Sequence, residues 1–166
     1  MYSTQFVVNL AVPCRILIAD DHGPLRKTLK TVLEAHPGWE VCGEATTGLE
    51  AVGKAAELKP DLLILDLSMP VMGGLEAASQ ILAVSPRLPI VLFTNHLYFA
   101  LAEDARKAGI RKVVSKVGEQ IVSAVEAVLD EQLKSALNTI QPEIQATQVA
   151  SSSAIEKQAN DKPEEK

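Results

Sequence analysis

Aromatic residues are scarce in this chain of 166 residues, at 4%, and there are only two cysteines, three methionines and one tryptophan. Cys14 and Cys42 form no CxxC pair and have no histidine at metal-ligand spacing, which argues against a zinc site and reads both as small apolar side chains of a reduced protein. Charge of one sign is also missing. Sixteen Lys and Arg against twenty-one Asp and Glu leave a net charge of −5, so no basic stripe points to nucleic acid or to an anionic membrane. No run approaches the roughly 18 uninterrupted apolar residues of a membrane span. The opening "MYSTQFVVNLAVPCRILIA" lacks a basic start and is interrupted by Asn9, Pro13 and Arg15, unlike a signal peptide. These absences predict a cytoplasmic protein whose partners are proteins or small ligands, with no nucleic acid and no membrane.

What the chain does have is alternation. "RILIAD" (15–20) is a short apolar run closed by acids, as buried strands are. "HGPLRKTLKTVLEAH" follows with Leu25, Leu29, Val32 and Leu33 at helical spacing, and Pro37-Gly38 ends it. "WEVCGEA" reads as a second strand, edged by Trp39, and "TGLEAVGKAAELKP" as a second helix with Leu49, Val52, Ala56 and Leu58 on its inner face. "DLLILD" is the third strand, with a helix over 75–84 after a turn at Gly73-Gly74 for which a positive φ is expected. "LPIVLFT" is the fourth, followed by a helix over 98–108 that Gly109 stops. "IRKVVSK" is the fifth, and a last helix over 119–138 carries Ile121, Val125, Val128, Leu129 and Leu133 on its apolar side. Strict strand-helix alternation requires crossover connections, hence a doubly wound α/β domain: a five-stranded parallel sheet with helices on both faces. Residues 1–13 read as an extension, 14–138 as the folded domain, and 139–166, rich in Gln, Ser, Glu and Lys, as a disordered tail.

Doubly wound sheets bind ligands beyond the carboxyl ends of their strands. There this sequence places its unusual polar residues: Asp20 and Asp21 after strand one, Asp66 after strand three, Thr94 after strand four, and Ser115-Lys116 after strand five. Three carboxylates in one place repel unless cations offset them. A magnesium ion, which takes hard oxygen ligands and keeps several waters, fits such a set, and Lys116 neutralises what the metal does not. Asp66 closes the central apolar strand and is the best-placed nucleophile for a phosphoryl group, with Thr94 as a neutral donor toward it. His22 and His96 read as polar surface, and Met69 and Met72 as packing and loop residues.

Over roughly 15–138 the chain resembles the receiver domain of two-component response regulators, through "ILIADDH", "LLILDLSMPVMGGLEA", "IVLFT" and "VVSK" in the family's order. The resemblance implies a flavodoxin-like strand order 2-1-3-4-5. It implies that Asp66 accepts a phosphoryl group from a sensor histidine kinase or phosphotransfer protein in a magnesium-dependent reaction. Asp20, Asp21, Asp66 and the backbone carbonyl of Ser68 would hold the metal, Thr94 would be the switch hydroxyl, and Lys116 would pair with the phosphoryl group. The wording looks most like receivers that precede a LuxR-type DNA-binding domain. Here no second helical pattern follows residue 138, which predicts a stand-alone receiver, monomeric or weakly dimeric, that signals to an unknown downstream protein and is no metabolic enzyme. Val113 departs from the family pattern, which has Tyr or Phe three residues before the lysine, and Asn95, His96 and Val117 are further departures. Val113 motivates the alternative of a scaffold whose interactions ignore phosphorylation. A haloacid-dehalogenase-like phosphatase fits less well, since the position two after Asp66 is Ser68 and not an acid.

Overall fold

The computed structural model describes residues 12–96, 98, 100–117 and 121–139. Its elements run β1 (Cys14–Ala19), α1 (Gly23–Glu34), β2 (Trp39–Ala45), α2 (Gly48–Leu58), β3 (Leu62–Leu65), α3 (Gly74–Val84), β4 (Ile90–Thr94), α4 (Leu101–Lys107) and β5 (Lys112–Ser115). All strand pairs are parallel, and the sheet order is β2-β1-β3-β4-β5, as the resemblance implied. The chain separates into two compact units, Met1–Leu129 and Asp130–Lys166. The first holds the sheet, α1 to α4 and the helical residues 121–129; the described part of the second is the helical stretch 130–139. Residues 1–11 of the expected extension, 140–166 of the expected tail and the predicted helix start at Glu119 lie outside the described residues; Thr139 is helical. Among the described residues no helix is long and apolar enough to cross a membrane.

Each strand lies between two apolar layers, so successive residues serve opposite faces. Leu17, Ala19, Leu63, Leu65, Ile90 and Leu92 pack with Ala51, Ala55, Ala78 and Ile81 of α2 and α3 and with Leu101 and Ala105 of α4. Ile16, Ile18, Leu62, Ile64, Val91 and Phe93 pack with Leu29 and Leu33 of α1 and with Ile121, Val125 and Val128. With β3 and β4 buried on both faces, the strands are fixed posts, and their ends hold position.

Several helix faces differ from the apolar pattern. On α2, Leu49 is 56% exposed and Ala56 is exposed; the buried positions are Gly48, Ala51 and Ala55, with Val52 and Leu58 half-buried. Small residues let this helix lie close to its neighbours, and a methyl on Gly48 would stand 2.3 Å from the Met72 carbonyl oxygen. Val32 on α1 and Leu133 in the second unit are likewise exposed. The fourth helix starts at Leu101, not at 98: Tyr98 lies before it, and its carbonyl accepts the Leu101 amide. The predicted stops are present, with Gly109 at φ 82° after α4 and Gly38 at φ 82° before β2. Trp39 stacks on His36 with ring centroids 3.9 Å apart, at the edge of the sheet as expected. The cysteines are free thiols, and burial pushes the Cys14 thiol up to about 11, far from the reactive range.

Candidate phosphoacceptor and metal site

Asp66 follows the last residue of β3, and its amide donates to the Ala19 carbonyl at 2.8 Å, so the carboxylate is fixed beside the end of β1. The loop beyond is built around close backbone approaches. The Gly74 amide donates to the Leu67 carbonyl, and a methyl on Gly74 would stand 2.1 Å from the Asp66 carbonyl oxygen. The expectation of a positive φ at Gly73-Gly74 is corrected: Gly73 has φ −75°, and the left-handed residue is Val71, at φ 69°. The Met72 amide donates to the Pro70 carbonyl across it, so Val71 is the centre of a γ-turn, a strained place for a β-branched residue. The glycines serve close approach to Asp66 instead.

Asp20, at the end of β1, is 2% exposed and Asp66 is 5% exposed. Lys116 Nζ lies 2.6 Å from Asp20 Oδ2 and 3.1 Å from Asp66 Oδ1, which bridges the two carboxylates with one ammonium. Asp21 is exposed, and one carboxylate oxygen from each of Asp20, Asp21 and Asp66 lies within 4.8 Å of the others. Three acids against one ammonium leave a formal excess of negative charge beside a low-dielectric interior. Burial pushes the Asp66 carboxyl above its usual range, the nearby ammonium opposes that rise, and the Asp20 charge adds to it. Asp66 Oδ1 is buried without a well-aligned hydrogen bond. A hard oxygen set whose negative charge a single ammonium does not offset fits a divalent cation such as magnesium.

Thr94 closes β4 and is fully buried; its carbonyl accepts the Lys116 amide at 3.1 Å, which joins the β4 and β5 ends. Its hydroxyl accepts the His96 amide at 3.0 Å. Ser68 is exposed on the loop after Asp66, and its Oγ lies 3.4 Å from His96 Nδ1. The structure therefore brings Asp20, Asp21, Asp66 and Lys116 together, with Thr94 on the neighbouring strand end and Ser68 at the rim. Val113 is half-buried beside the α2–α4 layer and pairs in register with Leu92. The sequence reading missed Arg26 and Glu44. The Arg26 Nη1 donates to the Asp20 carbonyl at 2.7 Å and its Nε to Glu44 Oε2 at 3.1 Å. The signal was the guanidinium six residues after Asp20 in "DDHGPLR", which the apolar spacing of the helix did not flag.

An acid cluster with one buried ammonium, at the carboxyl edge of a 2-1-3-4-5 parallel sheet, defines a doubly wound α/β protein whose chemistry lies at its strand ends. The chain belongs to the response regulator receiver domain family, whose sequence profile matches residues 16–126. It is 39% identical over 102 residues to the chemotaxis protein CheY of Thermotoga maritima, covering 61% of this chain and 84% of that one. It is 38% identical over 116 residues to a protein-glutamate methylesterase/protein-glutamine glutaminase of Alkalilimnicola ehrlichii, covering 69% of this chain and 30% of that protein's length. The match to the esterase thus falls on its receiver portion alone. Among solved structures, a two-component response regulator of the LuxR family from Aurantimonas sp. SI85-9A1 superposes with a TM-score of 0.69 at 34% identity, covering 72% of this chain and 86% of that one. Receiver domains accept phosphoryl groups, bind magnesium at an acidic pocket, and interact with histidine kinases or phosphotransfer proteins.

Proposed function

We propose that Asp66 is the phosphoacceptor of this chain and that Asp20, Asp21, Asp66 and the Ser68 backbone carbonyl hold the magnesium ion. The observation that carries this reading is the Lys116 ammonium bridging Asp20 and Asp66 while Asp66 Oδ1 stays without an aligned hydrogen bond. A carboxylate oxygen of Asp66 attacks the phosphorus of a phosphohistidine on a sensor kinase or phosphotransfer protein. The new O–P bond forms as the P–N bond breaks, and the departing imidazole nitrogen keeps the electron pair and takes a proton. Bound magnesium supplies positive charge to the phosphoryl oxygens and relieves the repulsion among the carboxylates. Lys116 supplies a second, compact positive charge at the same oxygens. The Thr94 hydroxyl donates to a phosphoryl oxygen after giving up its contact with the His96 amide. A changed surface beyond β4 and β5 is then read by a downstream protein, so the chain signals and does not turn over a metabolite.

Incubation with magnesium and phosphoramidate, followed by borohydride trapping and mass spectrometry, tests this reading. Modification at Asp66 in the wild type and none in Asp66→Asn is the expected result; a wild type left unmodified overturns it. Val113 favours a second reading, a scaffold indifferent to phosphorylation, because an isopropyl group at that half-buried position has no ring to move. Equal partner binding by Asp66→Ala and by wild type saturated with beryllofluoride would select the scaffold.

A further inference from the structure

Arg26 lies on α1, outside the acid cluster, yet its side chain is only 15% exposed and reaches back to the loop that carries the acids. Its Nη1 donates to the carbonyl of Asp20, which belongs to the peptide unit joining Asp20 to Asp21. That unit decides where the Asp21 carboxylate points, because Asp21 follows it directly. The rest of Asp20 is held by other groups: its amide donates to the Ala45 carbonyl at 3.1 Å, Oδ1 accepts the His22 amide at 2.9 Å, and Oδ2 meets Lys116. Among the described residues, the outgoing carbonyl is held by the Arg26 contact.

The guanidinium is itself aimed. Its Nε donates to Glu44 Oε2 at 3.1 Å, and Glu44 is on α1's side of the sheet because of an irregularity in β2. Ile16 pairs with Val41 but Leu17 pairs with Gly43, so Cys42 is an extra residue, a β-bulge. Val41 faces the α1 layer, whereas Cys42 packs against the α2 layer. The bulge reverses the alternation beyond it, and Glu44 comes into register with Ile18, whose side chain faces α1. In an unbulged strand Glu44 would pair with Ala19 and face α2. The bulge, Glu44 and Arg26 therefore form one chain of contacts that ends on the Asp20–Asp21 peptide.

We propose that Arg26, aimed by Glu44, is a positioning residue that sets the geometry of the Asp20-Asp21 metal ligands; the proposal rests on the magnesium site assigned above. Groups behind metal ligands are worth about 10- to 100-fold in affinity. Lysine carries its three donors on a single nitrogen, so it cannot place separate nitrogens on the Asp20 carbonyl and the Glu44 carboxylate as the planar guanidinium does.

Titration calorimetry with magnesium chloride on the full chain, paired with phosphoramidate phosphorylation at varied magnesium, tests the idea. For Arg26→Lys we expect the magnesium Kd and the half-saturating magnesium concentration to rise about tenfold, while the rate at saturating magnesium returns to within about twofold of wild type. Glu44→Gln, which keeps a hydrogen-bond acceptor but removes the charge, shows a smaller rise in the same direction and decides the matter if Arg26→Lys does not fold. A lowered urea midpoint with an unchanged magnesium Kd in both variants overturns the proposal. A wild type that binds no magnesium is a different outcome, because it removes the metal site itself and this inference with it.

Discussion

Asp20 at the end of β1 and Thr94 at the end of β4 are both buried polar residues bordering one cluster, and they are secured very differently. Asp20 has its amide, its carbonyl and both carboxylate oxygens engaged, by Ala45, Arg26, His22 and Lys116. Among the described residues, the buried Thr94 hydroxyl has one hydrogen bond, from the His96 amide in the loop beyond. The first end is over-determined, as a ligand set must be if it is to stay put against like-charge repulsion. The second can change partner at the cost of about one hydrogen bond, roughly 1 kcal/mol. A site fixed on one side and loosely tethered on the other suits a device that takes up a group without moving its acids and reports the event through a loop.

The strongest way to break this contrast is to damage the fixed side through its backbone. Gly74→Ala places a methyl 2.1 Å from the Asp66 carbonyl oxygen, and the neighbour is main chain with nowhere to go. Overpacking of this kind costs about 3 kcal/mol. Urea unfolding is expected to show that loss, together with a large drop in phosphoramidate labelling of Asp66. Lys116→Met acts on the same side through charge. It leaves Asp20 and Asp66 buried with no ammonium between them, for a loss of about 3 kcal/mol, the scale of breaking a buried ion pair. Magnesium is then expected to raise the melting temperature of Lys116→Met more than that of wild type, since the cation replaces missing positive charge. Equal shifts would separate the lysine from the metal site.

The fixed side was also the more legible in sequence. Buried strands show as solid apolar runs, and the acid that closes each run is conspicuous because burying a charge is costly. That is why Asp20 and Asp66 could be read from the residues, whereas the strand order β2-β1-β3-β4-β5 came only through the family resemblance. The helix faces were less legible: on α2 the apolar pattern favoured Leu49 and Ala56, but Gly48, Ala51 and Ala55 are buried because close packing selects small residues over large ones. The Arg26 and Glu44 contacts were hidden altogether. They depend on a one-residue bulge at Cys42 that changes which face Glu44 serves, and "WEVCGEA" carries no mark of it beyond a glycine. The strained Val71 was equally hidden, since a left-handed φ is expected at Gly73-Gly74, two and three residues on.

The loosely held side answers to a milder change. Thr94→Val keeps the β-branched shape inside the sheet and deletes the oxygen that accepts the His96 amide. The loss is one partly buried hydrogen bond, offset in part by burying a methyl in place of a hydroxyl, so the unfolding free energy from urea titration should fall by no more than about 1 kcal/mol. Amide exchange localises the effect: His96 N–H should exchange faster in Thr94→Val, while the Asp66 amide, bonded to Ala19, keeps its protection. Magnesium affinity should not change, because the proposed ligands are Asp20, Asp21, Asp66 and the Ser68 carbonyl, and the Thr94 hydroxyl is not one of them. If magnesium affinity falls in step with His96 protection, the two sides are coupled before any phosphoryl group arrives, and the division between a fixed acid side and a movable hydroxyl side is wrong.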